Sequence, residues 1–206
     1  MRLYFVRHGE TINNKKHIFN GGSVDPILTE AGQQEAMRLG NYLADVKFDA
    51  CFSSPLKRAY TTAQLVLEEN KRMIPNIEVV QDLTEMNLGN WDGQAIKDVH
   101  DEAQLKNYFE APADFDAGTI QAESYREVQQ RGEQAVKKIC QMSVGKGNIL
   151  IASHGLFLNT VLKTMAGVPL NEIRKDGLVP TSSVTTFDVN ADHTVQLIEW
   201  GVKPGK

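Results

Sequence analysis

Cysteine is nearly missing from this sequence: two in 206 residues, Cys51 and Cys140. Both sit in apolar-patterned segments with neither metal nor redox spacing, so free thiols buried in a cytoplasmic protein are the expectation. No apolar run approaches the ~18 residues of a membrane span. No signal-peptide pattern opens the chain either, because only four apolar residues separate Arg2 from Arg7. Basic clusters are absent, and 22 Lys+Arg against 26 Asp+Glu give a formal charge of −4. That balance argues against sequence-independent nucleic-acid binding. There is no internal repeat, low-complexity tract, P-loop or Gly-x-Ser-x-Gly elbow. What is present, 41% hydrophobic and 23% charged residues, is ordinary for a soluble globular protein. The length suits one domain over residues 1–206, with an insertion at about 94–122.

Apolar and polar patterning predicts alternating strands and helices. A first strand covers residues 2–6. The stretch from Thr11 to Leu28 is irregular and rich in turn formers, as long functional loops are. Thr29 reads as an N-cap, with Ala36, Leu39, Gly40 and Leu43 following at helical spacing. A second strand is expected over 48–52. After it Ser54 would cap, and Pro55 begin, a helix whose apolar face is Leu56, Ala59, Tyr60, Ala63 and Leu67. Residues 77–80 suit a third strand, followed by a glycine-punctuated loop over 82–93. The insertion is acidic (Asp98, Asp101, Glu102, Glu110, Asp114, Asp116) and carries one short helix near 96–108. Val128, Gly132, Ala135, Val136 and Ile139 mark a longer helix. Residues 148–152 form a buried strand, and 156–166 a helix stopped by Gly167. A terminal hairpin pairs 184–189 with 194–200 around Asn190-Ala191-Asp192, ahead of a frayed tail from Gly201 to Lys206. Strands feeding helices imply a parallel sheet.

Polar groups of one kind gather at the strand ends. The first strand ends in Arg7-His8-Gly9-Glu10-Thr11, the second leads to Arg58, and the strand at 148–152 ends in Ser153-His154-Gly155. Open α/β sheets bind ligands outside the carboxyl ends of their strands. Two guanidiniums and two imidazoles converging there suit a doubly charged oxyanion, most plainly phosphate. Arg58 lies in the first turn of its helix, where the dipole disfavours cations; taken alone it reads as a solvated surface arginine, and beside the other strand ends an anion at that N-terminus explains it. Glycine beside each histidine lets backbone and ligand approach closely. A metal is disfavoured: there is no His-x-x-x-His or cysteine ligand set, and Arg7 would repel a cation. Glu85, beside Leu83, Met86 and Leu88, is the best acid, its apolar neighbours raising the carboxyl pKa. Glu10 competes, or serves as an arginine or histidine partner. Asn14 reaches a phosphate oxygen if its loop folds back; Thr11 and Gly21 are supporting candidates. Ser53 and Ser54 read as caps, and Ser153 as structural.

These residues resemble the histidine phosphatase superfamily, the phosphoglycerate mutase-like family. The resemblance rests on Arg7-His8-Gly9-Glu10-Thr11 with Asn14, Ser53-Ser54-Pro55-Leu56-Lys57-Arg58-Ala59 with Thr62-Ala63, Leu83-Thr84-Glu85 with Gly89, Trp91 and Gly93, and Ser153-His154-Gly155. Asp25-Pro26, Leu28-Thr29, Gly32, Glu123-Ser124 and Arg131 match further family segments, in family order from residue 2 to about 187. The resemblance implies a three-layer α/β/α sandwich with a mostly parallel central sheet. It implies His8 as nucleophile through a phosphohistidine. Arg7, Arg58 and His154 would hold the phosphoryl oxygens, helped by Asn14 and the Gly155 amide, and Glu85 would be the general acid and base. No cofactor or metal is implied. Family mutases resemble longer chains whose insertion carries paired arginines for a carboxylate, whereas residues 94–122 hold no arginine and only two lysines, Lys97 and Lys106. The expectation is therefore a phosphatase acting on a small phosphorylated metabolite. A phosphoglycerate mutase and an inactive phosphate-binding scaffold are the alternatives. Tyr108, Phe109 and Phe115 line an apolar rim or pack the insertion. No nucleic-acid or membrane partner is expected, and a homodimer is left open.

Overall fold

The computed structural model describes residues 1–72, 75–190 and 194–205. Its centre is a six-stranded mixed sheet. The strands are β1 (Arg2–Arg7), β2 (Ala50–Ser53), β3 (Ile77–Val79), β4 (Asn148–Ser153), β5 (Val184–Val189) and β6 (Val195–Val202). In space they run β3-β2-β4-β1-β5-β6. The β3, β2, β4 and β1 strands are parallel, and the β5–β6 hairpin adds two antiparallel strands beside β1.

Alternation along the strands divides the core. Leu3 and Phe5 of β1, Phe52 of β2 and Ile149 and Ile151 of β4 face one apolar cluster. Tyr4, Val6, Cys51, Leu150 and Ala152 face the other. Successive strand side chains point to opposite faces, so a strand buried on both reads as continuously apolar. Helices α5 (Tyr125–Met142) and α6 (Gly155–Met165) cover the first face. Helices α2 (Glu30–Tyr42) and α3 (Lys57–Glu68) cover the second. The result is the expected three-layer α/β/α arrangement. Two short helices, α1 (Ile12–Lys15) and α4 (Glu102–Glu110), lie outside the layers' regular pattern. No described helix is long and apolar enough to cross a membrane.

Several local expectations need correction. Thr29 caps α2 through Gly32 N–H, as read from the sequence. Ser54 does not cap α3. That helix starts two residues beyond Pro55, and the Asp25 carboxylate receives the N–H groups of Lys57 (2.7 Å) and Arg58 (3.3 Å) instead. A cap delivered from 32 residues upstream has no local signature. The second strand begins at Ala50, not Phe48, because Asp49 turns to accept the Gly147 and Asn148 N–H groups. The 11–28 stretch is not wholly irregular: Thr11 and Asn14 form a capping box around α1. The insertion helix lies later than expected, from an Asp101 cap to a stop before Pro112. The tail is not frayed from Gly201, since Val202 pairs with Val184. The turn residues Ala191 and Asp192 lie outside the described residues. Cys51 is buried, its thiol pushed up to about 12 by burial, while Cys140 is only half-buried.

Where α5 crosses α6, Gly132 leaves no room for a side chain. A Cβ there would meet Val161 Cγ2 at 2.2 Å and the Phe157 ring at 3.1 Å. Gly132→Ala should therefore destabilise the fold by about 1–3 kcal/mol despite alanine's better helix propensity. Urea denaturation would measure this.

Candidate active site

The carboxyl ends of β1, β2 and β4 lie side by side: Arg7 pairs with Ser153, and Ser53 with Ala152. The next residues, His8, Ser54 and His154, therefore share one edge of the sheet. All three are buried. The His8 and His154 rings are 5.2 Å apart, centroid to centroid. A cavity of about 140 Å³ opens there, walled by Arg7, His8, Asn14 and Glu85 among others.

The His8 ring is oriented by its own turn. Nδ1 lies 2.7 Å from the Gly9 carbonyl oxygen. A carbonyl can only accept, so Nδ1 carries the proton and Nε2 keeps its lone pair. Burial first, then the charges of Arg58 and Arg7, hold the imidazole pKa well below the usual histidine value. His8 is thus a neutral base with a fixed tautomer at neutral pH.

His154 is held on both nitrogens. Its Nδ1 accepts from Arg58 Nε at 3.2 Å, and Nε2 lies 2.7 Å from Ser54 Oγ. Burial and the Arg58 charge push its pKa down as well. Ser54, expected to cap α3, is thereby a partner of His154. Arg58 is almost completely buried. Besides His154, it donates to the carbonyls of Val24, Gly21 and Asn20. The anion expected at its helix N-terminus is the protein's own Asp25, 3.6 Å from Nη1. Arg58 and His154 are therefore brought beside His8, but one layer behind the cavity wall rather than in it.

Arg7 does face the cavity. One of its terminal nitrogens donates to Val179 O, while Nε is buried without a partner among the described residues. Burial lowers its pKa to about 10, with Arg174 and Arg58 adding to the shift and Glu85 opposing it. It remains a cation at neutral pH. Gly155 packs on this guanidinium: a Cβ would lie 2.8 Å from Arg7 Cζ and Nε. Any side chain after His154 would have to displace that guanidinium.

Glu85 is buried, yet its carboxylate is not in apolar surroundings as expected. It sits at the N-terminus of α6, where Leu156 N–H donates to Oε2 (3.0 Å) and Phe157 N–H to Oε1 (2.7 Å). Its own loop adds Met86 N–H at 2.9 Å. Arg131 pins that loop through the carbonyls of Asp82, Thr84 and Glu85 while paired with Glu123. Asn14 turns Oδ1 back to Thr11 N–H, which leaves its Nδ2 as a donor on the cavity side. Thr11 is fully buried and accepts from Asn20 Nδ2. Glu10 is no arginine or histidine partner. Its Oε1 accepts from Thr29 Oγ1 at 2.7 Å. Gly21 supports Arg58 by its carbonyl and donates its N–H to Asp92, whose Oδ1 a Cβ would strike at 2.2 Å.

The sequence left Tyr108, Phe109 and Phe115 open between an apolar rim and packing, and the structure divides them between the two. The acidic residues of 94–122 all point to solvent, whereas Tyr108 and Phe109 line the cavity and Phe115 packs beneath them. Arg174 also enters the wall, from a segment that carries no local motif.

Known proteins share this architecture. Residues 3–202 match the sequence profile of the histidine phosphatase superfamily (branch 1). The chain is 32% identical over 170 residues to the adenosylcobalamin/alpha-ribazole phosphatase of Escherichia coli K12, covering 82% of this chain and 81% of that protein. It is 31% identical over 198 residues to the 2,3-bisphosphoglycerate-dependent phosphoglycerate mutase of Brucella ovis, covering 94% of each. The solved structure of Bacillus stearothermophilus YhfR superposes with a TM-score of 0.89 at 32% identity, over 97% of this chain and 96% of that one.

Two buried neutral histidines make stability pH-dependent in a definite direction. The unfolded chain protonates both near pH 6.5, while the folded chain takes up those protons only at lower pH. Their contribution is therefore complete above about 6.5 and lost as pH falls. Between pH 6.5 and 5.5 the unfolding free energy should drop with a slope approaching about 2.7 kcal/mol per pH unit, the value for two protons. His154→Gln should remove about half of that slope, as denaturant titrations at several pH values would show.

Proposed function

The chain belongs to the histidine phosphatase superfamily, and within it we propose a phosphomonoesterase acting on a small phosphorylated metabolite through a phosphohistidine on His8. The observation that carries this reading is the His8 ring itself. Its Nδ1–H is committed to Gly9 O, and its neutral Nε2 shares a small cavity with a guanidinium and a carboxyl group. A neutral, oriented imidazole between cations is suited to attack phosphorus rather than to carry charge.

In the first step His8 Nε2 forms a bond to phosphorus as the bond to the leaving oxygen breaks. Glu85 gives that oxygen a proton, so the product leaves as an alcohol. In the second step Glu85 takes a proton from water while the water oxygen attacks phosphorus. Inorganic phosphate departs and His8 regains its lone pair. Arg7 and Asn14 Nδ2 hold the phosphoryl oxygens from the cavity wall, and the Gly155 N–H assists. Arg58 and His154 reach the phosphoryl group by exchanging a present partner for a charged oxygen. Such charge-assisted bonds are roughly twice as strong as neutral ones, which favours the exchange. Fixed cations stabilise charge on the transferring group without a metal.

Relatives of both kinds, a phosphatase and a phosphoglycerate mutase, stand at similar identity. A mutase is therefore the second reading, with the phosphoryl group returned to the product instead of to water. One assay separates them. The purified protein should release inorganic phosphate from p-nitrophenyl phosphate with undiminished rate in excess chelator. It should hydrolyse phosphoglycerate faster than it isomerises it. His8→Ala should abolish phosphate release. Chelator-sensitive activity would remove the metal-free mechanism, an active His8→Ala the nucleophile, and isomerisation outpacing hydrolysis the phosphatase reading.

A further inference from the structure

Arg174 is the cavity's unexplained cation. It is nine-tenths buried, and its Nε and Nη1 have no hydrogen-bond partner among the described residues. Acids are close in sequence but committed elsewhere. Glu172 pairs with Lys175 at 3.1 Å, and Asp176 with Lys163 at 3.2 Å. The guanidinium instead lies over the rings of Tyr108 (5.1 Å) and Phe109 (5.4 Å) from the insertion. Its backbone is fixed as well. Asn159, fully buried on α6, donates to Ile173 O and Gly177 O and accepts from Val179 N–H.

A buried guanidinium with free N–H groups is costly, since an unmade hydrogen bond forfeits the group's hydration. Two aromatic faces recover part of that cost and leave the planar edges of the guanidinium unoccupied. The cavity it lines also holds Arg7, and Glu85 is the one acidic residue among the described lining side chains. In the proposed mechanism the phosphoryl group at His8 is met by Arg7, Asn14 and the Gly155 N–H, and Arg174 is the cation of the lining with no group assigned to it.

We propose that Arg174 determines leaving-group specificity: it binds a second oxyanion, a carboxylate or a second phosphate, on the substrate's leaving alcohol. This rests on the phosphatase reading of the same cavity and names the substrate class within it. The acidic composition of 94–122 does not oppose such a substrate, because those carboxylates face solvent while the segment's aromatic rings hold Arg174.

Three substrates on one three-carbon frame test it: glycerol 3-phosphate, 3-phosphoglycerate and glycerol 1,3-bisphosphate. They end in a hydroxymethyl group, a carboxylate and a second phosphate. Arg174→Met should lower kcat/KM for at least one of the two-anion substrates by roughly 10- to 100-fold, the worth of hydrogen bonds to a charged group. Glycerol 3-phosphate should stay within about threefold. Whichever two-anion substrate loses more identifies the second group. Arg174→Lys should recover part of the loss, since it keeps charge without the planar fork. Equal losses on all three substrates with a lower melting temperature would mean a structural role. No loss on any would leave Arg174 outside recognition, and either result overturns the proposal. Binding keeps it separate from turnover. Calorimetry with 3-phosphonopropionate and methylphosphonate, which cannot be hydrolysed, should show Arg174→Met weakening only the former. If p-nitrophenyl phosphate and all three substrates resist turnover yet that selective weakening is seen, the phosphatase reading fails and the Arg174 assignment stands; if both ligands weaken alike, the assignment fails.

Discussion

Positive charge gathered where water is scarce is the constraint on which the rest of this structure depends. Arg58 is held almost wholly out of solvent, and the Nε of Arg7 and of Arg174 is buried with no partner among the described residues. Cations so placed cost stability unless something answers them. The protein answers Arg58 with three carbonyls, the His154 ring and, at longer range, Asp25. Among the described residues it answers Arg7 only in part, and the Nε and Nη1 of Arg174 not at all beyond the aromatic faces that guanidinium lies over. Burial first, and then the remaining positive potential, keeps His8 and His154 unprotonated. The field that suits an anion thus also helps to keep the His8 lone pair available.

Holding those charges in register falls to loops, and the loops are tied to each other rather than to the sheet alone. Asp92 accepts the Gly21 and Ser23 N–H groups and so joins the 11–28 loop to the 82–93 loop. Phe19 stacks on Trp91 across the same junction. Arg131 fixes the backbone under Glu85 from α5, and the α6 N-terminus fixes its carboxylate. Glycines stand where these segments touch. At Gly89 the backbone is left-handed (φ 53°), and a Cβ would strike Ile120 O at 2.1 Å. A long loop organised in this way is a functional surface rather than a tolerated insertion.

Much of this was legible along the chain because strands with apolar residues on both faces announce themselves. The β1 and β4 runs, each ending in a histidine followed by glycine, pointed to the candidate site from sequence alone. Effects carried across the fold were illegible. The Asp25 cap on α3 spans more than thirty residues, so Ser54 looked like the cap when it is a partner of His154. Glu85 read as an acid among apolar neighbours because nothing nearby in sequence reveals the α6 amides that meet it. The acidity of 94–122 was visible, but not that its carboxylates point outward. Arg174, between Ile173 and Lys175, carries no motif in the sequence. Burial and a missing partner are properties of the folded chain only.

The account's central claim is that His8 Nε2 takes the phosphoryl group. Brief incubation with a phosphate-labelled ester, an alkaline quench and peptide mapping test it directly. The account predicts label on the peptide containing His8, stable in alkali and lost in acid as a phosphoramidate is. Label on a Ser53 or Ser54 ester, or turnover with no phosphoenzyme at any quench time, would contradict it.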